Sequence, residues 1–161
     1  MADERRSLGL AIGVGVIGGL LASLAMNQFQ AVAAGAFGQK GSNDDPATVK
    51  AADVLAKVTT GEPVTQKYRE TAGSMVHYAT GAALGGLYGA LTHKRPQAAL
   101  GLGLPFGLAT MLVVDDLAVP AFGLGAAPQD TPPATHGYSA ASHAVFGVVL
   151  EGVRRLVLRL A

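Results

Sequence analysis

Between Gly73 and Leu91 the chain reads GSMVHYATGAALGGLYGAL, a run without a single charged residue. On an α-helix Gly73, His77, Gly81, Gly85 and Gly89 fall on one face, because residues four apart stack above one another. In lipid there is little hydrophobic drive for helix to meet helix, so small residues at this spacing mark where neighbouring backbones approach closely. The pattern therefore predicts a membrane span over about 73–92, with His77 turned into protein rather than lipid.

Composition agrees with that reading. Of 161 residues, 14% are charged and 50% hydrophobic, where a soluble domain is about a quarter charged. Long uncharged runs alternate with short charged ones, as in a chain threading a bilayer about 30 Å thick that takes roughly 20 helical residues to cross. A net charge of +1 without a basic stripe excludes a nucleic-acid partner. The absence of cysteine excludes disulfides, thiol catalysis and cysteine-held metals. With no tryptophan, the aromatic belts expected at membrane interfaces are thin.

A polar start with Arg5 and Arg6 precedes an uncharged run from Leu8 to Met26, and a span over about 8–29 is expected. A cleaved signal peptide, with Ala31-Val32-Ala33 as its site, is the alternative. This run exceeds the roughly 7–15 residues of a signal core and carries two GxxxG pairs, Gly9 with Gly13 and Gly15 with Gly19. Phe29, Ala33 and Phe37 keep helical spacing beyond it, so the helix is expected to run on along the interface.

The connection over 38–71 is rich in charge. Within it, Asp45 followed by Pro46 predicts a helix start, with the Asp45 side chain as the cap. Ala47, Ala51, Val54, Leu55 and Val58 then form an apolar stripe opposite Lys50, Asp53 and Lys57, until Gly61 and Pro63 end the helix. A short amphipathic helix packing this stripe as a cap on the bundle is expected.

A basic turn, His93 to Pro96, leads into a span over about 97–116, with a kink at Pro105 and with Asp115 and Asp116 at its end. A proline-rich linker, 119–138, contains no lysine or arginine. The last span, about 139–158, holds His143 and Gly147, and places Glu151 within reach of Arg154 and Arg155 at i+3 and i+4 as an intramembrane ion pair.

Arg5, Arg6, Lys94, Arg95, Arg154, Arg155 and Arg159 fall at one set of span ends; Lys40, Lys50, Lys57, Lys67 and Arg69 fall at the other. The short turns decide the orientation, two positive residues against none, which puts both termini in the cytoplasm and the two longer connections outside. The expected fold is an all-α, four-span, up-down transmembrane helical bundle.

That order brings Asn27, His77, Asp115 or Asp116, and His143 to about the same level near the extracytoplasmic side, and ionisable groups at such depth are functional candidates. Asp115 and Asp116 are adjacent, so only one of them is expected to face inward. Two imidazoles and a carboxylate, His77, His143 and Asp115, also suit zinc, iron or manganese, although no HExxH-type signature accompanies them. His93 and His136 read as solvated residues of the connections.

The residues His77, then Asp115, Asp116, Pro120, Gly123 and Leu124, then Pro128, His143, Gly147, Arg154 and Arg155 resemble the pattern of the YagU-like bacterial inner-membrane family. The resemblance covers about half the chain and implies an inner-membrane location, about four spans and no established activity. It leaves the 40–69 connection unmatched.

No phosphate loop, dinucleotide fingerprint or nucleophile with its base is present, so neither a cofactor nor an enzymatic activity is expected. The leading expectation is a non-enzymatic bundle component or scaffold, in contact with the lipid bilayer and with a membrane-protein partner or a second copy. A small proton- or ion-linked transporter or channel using the His/Asp cluster is the alternative, and a metal-binding membrane protein the third.

Overall fold

The first helix is the wall that the others share. The computed structural model describes residues 2–35 and 44–160, with side chains from Ser7 onward. Phe37 and Lys40 lie outside the described residues. Helix α1 (Ala2–Ala33) packs most extensively on α3 (Arg69–Lys94) and next on α6 (Pro133–Leu160). Between them come α2 (Ala47–Thr60), a 3₁₀ segment Pro96–Gly103, α4 (Leu104–Thr110), a π-helical segment Met111–Ala118 and α5 (Val119–Ala121). All described elements are helical.

Glycine sets the two closest crossings. Gly15 and Gly19 of α1 lie against Gly81, Gly85 and Gly89 of α3; a methyl group at Gly85 would strike the Gly15 carbonyl, and one at Gly19 would strike that of Gly81. Gly73, on the same line, instead receives Val49 of α2. Gly9 and Gly13 meet nothing within 4 Å, so their GxxxG pair is unused among the described residues. At the second crossing Gly147 of α6 faces the backbone of Gly103, and Gly107 of α4 faces the His143 carbonyl. Rising numbers on α1 and α4 meet falling numbers on α3 and α6, so the long helices alternate up and down. Tyr88 and Phe106, ring centroids 4.7 Å apart, close α3 onto α4. The enclosed core is Ala22, Met26, Tyr88, Phe146 and Leu150.

Several boundaries depart from the sequence reading. Helix α6 begins at Pro133, six residues before the expected Ser139, and the 119–138 linker shortens because α5 and α6 take both its ends. The third span has no kink at Pro105. The helix is interrupted ahead of it, where Leu100 is extended and Gly101, Leu102 and Gly103 have φ of 70°, 57° and 79°. Pro105 then sits in the first turn of α4, where its missing N–H costs nothing. Two helices, Ser7–Ala33 and Pro96–Ala121, are long and apolar enough to cross a membrane; α3 and α6 are long enough but diluted by glycine and polar residues.

The face of α2 also differs from expectation. Val49 and Ala52 are buried, while Val54, Leu55 and Val58 of the expected stripe are 50%, 58% and 81% exposed. Arg69 is the cause: its guanidinium holds Asp53 at 2.6 Å and Asp45 at 2.7 Å, turning the Asp53 side of α2 toward α3. Asp45 is thereby drawn away from capping; Pro46 occupies the cap position and no side chain bonds there. Gly61, at φ 84°, ends the helix.

Candidate functional site

At the end of the bundle covered by α2, the helices diverge around a cavity of about 780 Å³. Each wall contributes polar atoms at a similar level: Ser23 and Asn27 from α1, His77 from α3, Asp115 from the π segment and His143 from α6. Met26, Leu84, Val114 and Phe146 supply apolar surface between them. Asn27, His77, Asp115 and His143, four of the residues singled out from sequence, thus line one space.

Their partners fix their chemistry. His143, 6% exposed, has Nδ1 3.1 Å from the Ser139 carbonyl. A carbonyl only accepts, so Nδ1–H donates and Nε2 is a bare lone pair in the neutral ring. The Ser139 hydroxyl donates to Asp115 Oδ2 at 2.6 Å, and that oxygen lies 3.7 Å from His143 Nδ1. Ser139 therefore ties the π segment to α6. His77 Nε2 is 3.5 Å from the Ser23 carbonyl, at the long end for a hydrogen bond, and Asn27 Nδ2 donates to the Tyr78 hydroxyl at 3.2 Å. The Ser23 hydroxyl is buried against Gly81 of α3 and has no hydrogen-bond partner among the described residues.

Asp116 is outside the cavity lining. Its carboxylate lies 3.8 Å from Nδ1 of His136, whose Nε2 donates to the Pro128 carbonyl at 3.0 Å. His136 is thus part of α6, not a solvated linker residue. Both aspartates engage α6 because the π segment carrying them replaces α-helical spacing there. Such segments occur frequently at functional sites. His93 is exposed in the last turn of α3. Among the described residues, no three histidine, cysteine, aspartate or glutamate side chains converge on a position for a metal ion; His77, Asp115 and His143 line the same cavity.

A second polar cluster lies at the opposite end. Glu151, 1% exposed, accepts from Arg154 Nε at 2.6 Å, Arg155 Nε at 2.5 Å and the Tyr88 hydroxyl at 2.9 Å. Arg155 also donates to the Ala99 carbonyl at 3.3 Å, tying α6 to the 3₁₀ segment. The apolar side chains of Leu84, Phe106, Phe146 and Leu150, with the Tyr88 ring, fill the space between this cluster and the cavity. Sequence reasoning missed Tyr88 and Ser139. Ser139 is legible as an i, i+4 neighbour of His143; Tyr88 meets Glu151 only through the register of two distant helices.

No protein-family model, curated protein or solved structure matches the chain.

Proposed function

We propose that the chain is a non-enzymatic, multi-pass membrane protein in which α1, α3, the Pro96–Ala121 segment and α6 all cross the bilayer, forming a four-span bundle with a ligand-sized cavity open on one side. The carrying observation is where the apolar surface lies. Leu10, Ile17 and Leu24 of α1, Leu87 of α3, Leu112 and Val113 of the π segment and Leu156 of α6 are each more than 45% exposed, while Glu151, Ser142 and His143 are buried. The two most apolar segments are only 33% and 22% buried, unlike the core helix of a water-soluble protein. A surface of this kind asks for hydrocarbon around it. Helices of 26 and 28 residues, about 39 and 42 Å long, are also sufficient to cross despite their polar content.

Lys94, Arg95, Arg154, Arg155 and Arg159 belong to the end opposite the cavity, which supports cytoplasmic termini and an extracytoplasmic cavity in a bacterial inner membrane. The YagU-like resemblance implies an inner-membrane location and about four spans. The packing of Gly15 and Gly19 on α3 supports retention of α1, whose removal would bare the glycine line. The apolar layer below the cavity favours a binding or scaffolding component over a conducting path.

Single cysteines introduced at Gln129 and at Lys94 test the arrangement. In intact cells a membrane-impermeant maleimide is expected to label Q129C and to spare K94C until the membrane is opened. Labelling of K94C alone, or a monodisperse protein without detergent, overturns the reading.

A further inference from the structure

We propose that the cavity takes an amphiphilic organic cation whose head carries N–H donors, an alkylammonium being its simplest form. The inference rests on the membrane-bundle reading and goes beyond it by assigning the chemistry of the occupant.

Hydrogen-bond accounting of the lining carries the argument. His143 Nδ1 is spent on the Ser139 carbonyl and His77 Nε2 faces the Ser23 carbonyl, so each neutral ring keeps a lone pair as its remaining function. Asn27 spends one of its two amide N–H groups on Tyr78 and keeps the other together with its carbonyl oxygen. Asp115 accepts from Ser139 with one oxygen and keeps the other. The unspent capacity is thus chiefly accepting, with one carboxylate among it, and it is matched by a head that is positive and rich in N–H.

No lysine or arginine lines the cavity at that level. Arg69, eight residues or about 12 Å up α3 from His77, is held through Nη2 by Asp45 and Asp53 at the rim, and its buried Nε has no partner among the described residues. Lys67, also at the rim, has its ammonium 5.4 Å over its neighbour's ring, Tyr68. The remaining wall is apolar, from Met26, Leu84, Val114 and Phe146, and the volume of about 780 Å³ falls in the range of small-molecule sites. A charged head seated among the acceptors with a hydrocarbon tail along that wall uses both halves of the surface.

Titration calorimetry of the full chain in a non-ionic detergent, with octylammonium, octyltrimethylammonium and octanoate as probes, tests this. The three share one tail and differ in the head. Octylammonium is expected to bind saturably and about tenfold or more tighter than either of the others, and Asp115→Asn is expected to remove its advantage over octanoate. Octanoate binding as tightly as octylammonium, or no saturable octylammonium binding, overturns the proposal. Equal binding of octyltrimethylammonium overturns the N–H requirement. The comparison of heads uses the unsubstituted protein and stands even where D115N fails to fold. Failure of the membrane reading is seen separately, as a chain that stays monodisperse without detergent.

Discussion

Tyr88 of α3 donates a hydrogen bond from its hydroxyl to Glu151 of α6 across 2.9 Å, joining residues 63 apart in the chain. With Arg154 and Arg155 on the other sides, the buried carboxylate accepts from two guanidinium groups and one hydroxyl. Glu151→Ala deprives the part-buried Arg154 and the Tyr88 hydroxyl of their acceptor, while Arg155, 43% exposed, turns to solvent; the change is expected to cost about 3 kcal/mol. Tyr88→Phe, which removes one donor to a charged acceptor, is expected to cost about 2 kcal/mol. Thermal unfolding midpoints of purified protein in detergent check the order; equal midpoints for E151A and the parent would show the network to be idle.

The glycines divide into used and unused. Gly85→Ala forces α3 away from the Gly15 carbonyl and is expected to destabilise by about 1–3 kcal/mol. Gly9→Ala and Gly13→Ala meet open space and are expected to stay within about 0.5 kcal/mol of the parent. The same unfolding measurement decides, and a costly G9A would mean that its strip is occupied by a second copy or another partner.

Leu102 holds φ 57° with its side chain 54% exposed, so it carries backbone strain with little packing in return. Leu102→Gly is expected to stabilise by up to about 1 kcal/mol, and Leu102→Ile to destabilise by about as much. A lower unfolding midpoint for L102G than for L102I would contradict the left-handed turn.

The layer of Leu84, Phe106, Phe146 and Leu150 interrupts any polar route between the cavity and Glu151. Protein reconstituted into vesicles is accordingly expected to carry no proton or sodium flux above empty vesicles between about pH 5 and 8, the interval in which histidine ordinarily titrates. A saturable flux that disappears in His143→Ala would favour the transport reading instead.

Local spacing made much of this legible. The four-residue glycine line specifies where α1 and α3 touch, and the i+3 and i+4 offsets specify that Glu151 meets Arg154 and Arg155. An alternating order of helices is enough to predict that Asn27, His77, Asp115 and His143 share a level, because helical rise is constant. What depends on distant chain was hidden. The orientation of α2 follows from Arg69, 16 residues beyond Asp53, and defeats a stripe that periodicity alone places inward. The break before Pro105 depends on a leucine in a left-handed turn, a conformation that its residue type does not announce. Of the two adjacent aspartates, Asp115 lines the cavity beside His143 and Asp116 turns to His136 near the start of α6, a partner that local spacing does not name.

Because α1 supplies a wall to both α3 and α6, the order of synthesis matters in the bilayer reading. It leaves the ribosome before either partner exists, so its groove at Gly15 and Gly19 is first filled by acyl chains. Arrival of α3 expels those lipids, and only then does α6 find the surface on which Gly18 receives Leu150. On the proposed four-span arrangement, assembly is expected to proceed by successive displacement of lipid from a template laid down first.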